Sequence, residues 1–389
     1  MPPSITELSI VLPCLNEAET LEVCIRKGQQ AFQAHAIDGE IIVADNGSTD
    51  GCPELAMRLG ARVVHVAAKG YGNALMAGIT AARGKYVLMA DADDSYDLLE
   101  SPKFLLKLRE GYELVQGCRL PAGGGTVMAG AMPFTHRWIG NPGFSLMARV
   151  MFGTPTNDAY CGMRAFTKDL FERLDLRCTG MEFATEMILK AGLFSAKMGE
   201  VPITLHRDGR VSSTPHLRTI RDGWRTLRLY LLFSPRWLFG YPGLLLLVLG
   251  VTGWALALPG LTIGNATFDA HTLLFASLAL LMGYQSVLFG IFARTFAVND
   301  GLLPENVQYR RFKSVMNLER GLLAGAVAFL FGSALLLWVV RLWWLTGFGD
   351  LDYARTMRFV VPGVTFVALG FQTMVSSFFV SCLGLRRIR

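Results

Sequence analysis

The run Tyr86-Val87-Leu88-Met89-Ala90-Asp91-Ala92-Asp93 decides how the first half of this 389-residue chain folds. It is short, apolar until its end, and stops at two carboxylates, as a strand of an α/β domain does where it meets a ligand. Four more runs share that form. Residues 8–14, 40–46, 62–67 and 113–119 read as strands beside the one at 86–91, with helical patterns between them at 17–34, 53–59, 73–82 and 98–109. This alternation predicts an α/β domain with a Rossmann-like, mainly parallel sheet over residues 1–209. Such a sheet binds ligands beyond the carboxyl ends of its strands, where this chain places Asn16-Glu17, Asp45-Asn46-Gly47 and Asp91-Ala92-Asp93.

From residue 241 the pattern changes. Residues 241–263, 271–293, 321–345 and 359–385 form apolar segments, each long enough to supply the roughly 20 helical residues that cross a hydrocarbon core. They predict a C-terminal all-α transmembrane domain of four helices over residues 239–389. A hydrophobic fraction of 52% and a mean hydropathy of +0.37 agree with that. Arg310, Arg311, Lys313 and Arg320 follow the second segment and Arg386, Arg387 and Arg389 follow the fourth, whereas residues 261–270 carry no Lys or Arg. The positive-inside rule then puts both termini and the first domain in the cytoplasm. Arg341, Arg355 and Arg358, near the loop between the third and fourth segments, sit close enough to segment ends to snorkel.

Residues 210–238 join the two domains. Arg218, Arg221, Arg225 and Arg228 recur there at helical spacing among Leu217, Ile220, Trp224, Leu227 and Leu231, as in a basic amphipathic helix lying in an anionic membrane interface. The net charge of +6 therefore points to a membrane surface and not to nucleic acid. The seven cysteines show neither a CxxC pair nor zinc spacing, so reduced thiols are expected. The opening residues are polar and run directly into a strand, with no signal-peptide pattern.

Alternation along an extended backbone would set Asp91 and Asp93 on one side, where paired carboxylates hold a hard cation such as Mg²⁺ or Mn²⁺ together with phosphate oxygens. Lys69-Gly70-Tyr71-Gly72 opens a helix; it reads either as a loop whose lysine and amides approach a phosphate or as a plain turn. Thr49 and Asp50 have the chemistry of a helix cap. Glu182 and Glu186 share a helical face, and Glu186 with Lys190 also forms an ordinary i,i+4 ion pair. Arg119, Arg137 and Arg164 offer planar guanidinium forks for phosphate recognition.

Taken in order, Leu12-Pro13-Cys14-Leu15-Asn16-Glu17, Ala44-Asp45-Asn46-Gly47-Ser48-Thr49-Asp50-Gly51 and Asp91-Ala92-Asp93 resemble the nucleotide-binding half of family 2 glycosyltransferases. Val115-Gln116-Gly117-Cys118-Arg119 and Cys161-Gly162-Met163-Arg164-Ala165-Phe166 resemble signatures of dolichol-phosphate mannose synthases and bacterial polyprenyl-phosphate glucosyltransferases. The resemblance implies a GT-A fold. It also implies metal-dependent, inverting transfer of a hexose, glucose or mannose, from a UDP- or GDP-sugar to dolichyl or undecaprenyl phosphate at the cytoplasmic membrane face.

Carried over by residue, it gives Asp45 the nucleotide base, with Pro13, Asn16 and Glu17 near base and ribose and Asp91 also on the donor; Lys69 joins the donor set from the loop reading above. Asp91, Asp93 and Ser95 become the ligands of Mg²⁺ or Mn²⁺, with Asp94 as the fallback third. Arg119, Arg137 and Arg164 take the lipid phosphate and, with Asp91 and Asp93, complete the catalytic set. Two departures stand out: Ser95 lies where the mannose synthases often have Gln, and Asn46 replaces the second residue of an Asp-Asp-Gly-Ser run.

A phosphate acceptor with a second pKa of about 6 is already largely dianionic at pH 7, so no general base is required. A processive polysaccharide synthase would share the fold, but its Gln-X-X-Arg-Trp motif is matched here only by Arg236-Trp237 with Phe233 in the Gln position. A transporter or flippase subunit with a nucleotide-sugar-binding domain would be expected to carry charges within its spans, and these are nearly absent. Homo-oligomers are left open.

Overall fold

The computed structural model describes residues 6–210, 219–307, 309–311 and 317–384 and divides into two compact units, Met1–Tyr230 and Leu231–Arg389. Leu217, Arg218, Lys313, Leu385, Arg386, Arg387 and Arg389 lie outside the described residues.

The first unit is built on a seven-stranded sheet. Its strands are β1 (Leu8–Cys14), β2 (Gly39–Asp45), β3 (Arg62–His65), β4 (Tyr86–Met89), β5 (Leu114–Cys118), β7 (Arg164–Thr167) and β8 (Met198–Pro202), in the order β3-β2-β1-β4-β7-β5-β8. Ile10, Val11 and Leu12 of the central β1 are fully buried, as are Val87, Leu88 and Met89 beside them, which is why these runs carry no alternation. Helices α1 (Ala18–Ala34), α2 (Cys52–Arg58), α3 (Tyr71–Ala81) and α4 (Ser101–Arg109) make the crossovers, close to where periodicity placed them. The parallel order has one exception: β7 runs antiparallel between β4 and β5, pairing Arg164 with both Met89 and Gln116.

The strand at 86 ends two residues earlier than its sequence suggests. Asp91 to Ser95 form a bend with Asp94 at φ +58°, so Asp91 and Asp93 project from a turn and not from an extended strand.

Between β5 and β7 the chain makes a long excursion. It contributes β6 (Thr126–Val127), which pairs with β9 (Thr204–Leu205), then a π-helical turn at His136–Gly140 that runs into α5 (Asn141–Phe152). Phe134 is 72% exposed and Ile139 66%, with Trp138, Leu146 and Val150 also exposed, while Ala148 and Phe152 face inward. After α6 (Lys168–Leu174) and α7 (Glu182–Leu193), α8 (Thr219–Leu232) returns to this excursion. Its buried Tyr230 donates to the Phe144 carbonyl at 3.1 Å and packs on the Phe144 and Phe152 rings, leaving Arg221, Trp224 and Arg228 exposed.

The second unit contains α9 (Tyr241–Ala257), α10 (Ala270–Asn299), α11 (Leu318–Leu345) and α12 (Tyr353–Gly384); with the π-helical turn Arg236–Gly240 that runs into α9, they give four helical stretches long and apolar enough to cross a membrane. The first span stops short of its expected end. Pro259 and Gly260, the latter at φ +69°, break the helix, and Thr262–Ile263 pairs with Ala266–Thr267 in a hairpin. Glycines bring helices into backbone contact at two seams. A Cβ on Gly283 would lie 2.7 Å from the Gly243 carbonyl, and one on Gly332 2.5 Å from that of Gly363.

Candidate active site

Asp45 ends β2 nearly buried and closes the turn that follows it. Its Oδ1 accepts the Ser48 amide at 3.0 Å and its Oδ2 the Gly47 amide at 3.2 Å, with His65 Nδ1 3.4 Å from Oδ2. Burial alone would push this carboxyl up, but the hydrogen bonds from Ser48, His65 and Gly47 outweigh it and hold the group below the usual carboxylate range.

Asn46 explains its own departure from the acidic motif. Its amide donates to the carbonyls of Val66 at 3.1 Å and Ala68 at 2.8 Å, and its oxygen accepts the Gly70 amide at 2.7 Å, a set that an aspartate could not satisfy. Lys69 Nζ lies 2.6 Å from the Asn46 carbonyl, so its ammonium sits at the Asp45 turn. Asn16, at φ +58°, accepts the Thr49 amide at 2.8 Å and ties the two loops together. Pro13, in β1, sits opposite Ala44. Asp50 is structural, as its chemistry suggests, although it serves the start of α1 as well as α2: it accepts from the amides of Ala18 and Cys52. The glycines at 70 and 72 are needed for close approach to the chain itself, since a Cβ on either would lie 2.4 Å from the Thr179 or Cys178 carbonyl.

Asp91, Asp93 and Ser95 come together beyond β4. Asp91 Oδ1 accepts the Tyr71 hydroxyl at 2.8 Å, and Gly162 leaves it room, because a Cβ there would lie 2.7 Å from Oδ2. Burial first and the charge of Asp93 second push the Asp91 carboxyl up to about 6, against the pull of Tyr71, Arg119 and Arg210. Asp93 Oδ1 accepts both the amide and the hydroxyl of Ser95, at 3.1 and 2.6 Å, while Oδ2 faces Arg210 Nη2 at 3.2 Å. Glu17 Oε1 meets Arg210 Nη1 at 3.1 Å and Oε2 is buried without a hydrogen-bond partner. Burial, opposed by Arg210 and reinforced by Asp93, Asp208 and Asp91, pushes the Glu17 carboxyl up to about 7. Among the described residues no three His, Cys, Asp or Glu side chains gather as a metal cluster; the oxygen set here is two carboxylates and a hydroxyl.

The three arginines differ in setting. Arg119 is buried and grips Asp158 with both prongs, Nε at 2.7 Å and Nη2 at 2.9 Å, which leaves Nη1 toward the Tyr96 hydroxyl at 3.4 Å. Arg164 is wholly buried; it donates to the Cys161 carbonyl at 2.6 Å and to that of Ala184, so it is not presented to an acceptor from solution. Its Nε is buried without a partner, and burial lowers the basicity of its guanidinium. Arg137 stands in the π turn, half-buried, its guanidinium 5.3 Å above the Trp138 ring and its Nε without a partner. Glu186 belongs to the core, pairing with Lys190 at 2.9 Å and accepting the amides of Arg177 and Cys178.

Comparison with known proteins now bears on this geometry. Residues 9–175 match the model of glycosyl transferase family 2, and residues 291–384 match that of the glycosyltransferase family 2 C-terminal transmembrane region. The low-salt glycan biosynthesis hexosyltransferase Agl6 of Haloferax volcanii is 38% identical over 380 residues, which are 97% of this chain and 89% of that one. The chain belongs to glycosyltransferase family 2. Dolichyl-phosphate hexose transferase of the same organism is 30% identical over 51% of this chain and 82% of its own. Glucosyl-3-phosphoglycerate synthase from Mycobacterium tuberculosis covers 58% of this chain and 79% of its own at 22% identity and a TM-score of 0.47, too distant to bear on chemistry. The family 2 enzyme thus joins a GT-A unit to a membrane domain.

Several residues around the glycosyltransferase site were not legible beforehand. The sequence marks Tyr71 only as part of a loop, and no motif surrounds Asp158. Arg210, read as the start of the basic juxtamembrane segment, instead bonds Glu17, Asp93 and Asp208.

Proposed function

We propose that this family 2 enzyme transfers a hexose, glucose or mannose, from a UDP- or GDP-sugar to a polyisoprenyl phosphate at the cytoplasmic face of a membrane, with inversion. The reading rests on one observation above all: Asp45 and the Asp91–Asp93 pair project from the carboxyl ends of β2 and β4, which flank β1 in one sheet. The name of the relative that is 30% identical, a dolichyl-phosphate hexose transferase, supports the acceptor class. In this reading residues 1–209 carry the chemistry, 210–238 lie at the interface, 239–389 anchor the chain, and both termini are cytoplasmic.

The donor set fits a divalent cation. Its oxygens are hard ligands, Asp91 and Asp93 repel one another, and a guanidinium already sits on Asp93. Asp91, Asp93 and Ser95 would hold Mg²⁺ or Mn²⁺, which when bound neutralises the diphosphate leaving group.

The chain's own residues supply the rest. Asp45, held ionised, accepts from a ring N–H of uracil or guanine, and the same donors exist in both bases. Asn16 and Lys69 fix the turn against which the nucleotide lies. On the acceptor side Arg137 is the accessible cation, and exposed Phe134, Trp138 and Ile139 surround it with the apolar surface that a phosphate on a lipid tail requires. Arg119, oriented by Asp158, would turn Nη1 from the Tyr96 hydroxyl to a phosphate oxygen. Arg164 contributes buried positive charge behind Tyr71 and Tyr96 and not direct contact. The incoming phosphate is its own nucleophile, so a single in-line displacement inverts the anomeric carbon.

Membranes containing the enzyme should label polyprenyl phosphate from one radiolabelled UDP- or GDP-hexose. EDTA should stop the reaction and Mg²⁺ or Mn²⁺ restore it. Transfer to free polyprenol, or full activity in chelator, would overturn the acceptor or the cation assignment respectively.

A further inference from the structure

Arg210 has a position that neither its sequence context nor the proposed reaction accounts for. Its side chain is 8% exposed, and it reaches three carboxylates from three segments: Glu17 at 3.1 Å, Asp93 at 3.2 Å and Asp208 at 2.5 Å. The strand-like strap that delivers it is fastened by backbone bonds to the acidic turn itself, from the His206 amide to the Ser95 carbonyl and from the Gly209 amide to the Asp93 carbonyl, both at 2.9 Å. Gly209 fits tightly there, since a Cβ would lie 3.0 Å from the Thr20 methyl.

Charge makes the arrangement incomplete. Glu17, Asp93 and Asp208 share one guanidinium, and Glu17 Oε2 stays buried without a hydrogen-bond partner.

We infer that Arg210 is the built-in counter-ion of the donor site: it pairs with Asp93 and Glu17 before cation and diphosphate bind, and gives up Asp93 when they arrive. The inference rests on the reading of Asp91 and Asp93 as cation ligands and adds what the chain does before they are occupied. The exchange is chemically balanced. The cation takes over Asp93, and the diphosphate gives the released guanidinium oxygens that match its planar fork. Each partner of the old ion pair gains a new partner of opposite charge. One consequence is that a divalent cation alone must compete with Arg210, whereas cation and nucleoside diphosphate together need not.

Mn²⁺ binding to the detergent-solubilised full chain, followed by electron paramagnetic resonance, tests this without reference to turnover. Without nucleotide, Arg210→Gln should bind Mn²⁺ at least roughly tenfold more tightly than the unaltered enzyme, the effect of removing about 1.4 kcal/mol of competing attraction. With UDP or GDP added, the unaltered enzyme should recover tight Mn²⁺ binding, while Arg210→Gln should hold the nucleotide more weakly at saturating Mn²⁺. Arg210→Lys, which keeps the charge but loses the fork, should fall between the two and serves if the glutamine variant does not fold. Nucleotide-free Mn²⁺ affinity that is unchanged or weaker in a folded Arg210 variant would make the arginine a static staple and overturn the inference. Absence of Mn²⁺ binding in the unaltered enzyme even with nucleotide would overturn the cation reading, and the inference with it.

Discussion

At position 46 an amide stands where the resembled enzymes carry a second carboxylate, and the structure gives the reason: two carbonyls, of Val66 and Ala68, need a donor. Asn46→Asp should therefore destabilise the first unit by about 1–3 kcal/mol, read as a lower thermal midpoint, because both carbonyls would face an acceptor. Asp158 is a second test at this scale. Asp158→Asn keeps the shape but strips Arg119 of its counter-charge, and breaking a buried pair of this kind costs about 3–5 kcal/mol; a loss below about 1 kcal/mol would mean that Arg119 is held by other contacts. Asp45, Asp91 and Asp93 were legible in the sequence because each follows an apolar strand, so position alone marks them. Tyr71, Asp158 and Arg210 were not. Tyr71 and Asp158 meet partners 20 and 39 residues away, and Arg210, besides its neighbour Asp208, meets Asp93 117 residues away, a distance no local pattern spans.

At the scale of elements, five parallel strands and the four helices between them could be read from apolar runs and periodicity, with ends displaced by one or two residues. Neither β7 nor β8 stands among them: Arg164-Ala165-Phe166-Thr167 is too short and mixed to mark a strand, and its antiparallel direction leaves no trace in its composition. The first membrane span was read too long because residues 258–263 are as apolar as the helix before them; only Pro259 and Gly260 mark the break. The glycine seams belong to this scale as well. Gly332→Leu would force α11 away from α12 and should destabilise the membrane unit by about 1–3 kcal/mol in detergent, while nucleoside diphosphate binding by the first unit stays unchanged. An unaltered thermal midpoint would show that the seam contributes no tight packing.

At the scale of the whole molecule, the proposed topology sets the Thr262–Thr267 hairpin outside and the loop after α10 inside. With Cys382 replaced by serine, Ala266→Cys should react with a membrane-impermeant maleimide in intact cells and Asp300→Cys only after permeabilisation. The opposite pattern would invert the orientation and remove the acceptor side from the cytoplasm. The excursion between β5 and β7 carries a broader consequence. It leaves the sheet at Cys118 and rejoins it at Arg164, next to the strand that leads to Asp91 and Asp93; Arg119, Asp158 and Gly162 tie its two ends to the site, but changes within residues 128–150 need not shift the register that positions those carboxylates. Under the proposed function, that middle stretch is an exchangeable cassette: it can be replaced to change which acceptor is met without rebuilding the donor side.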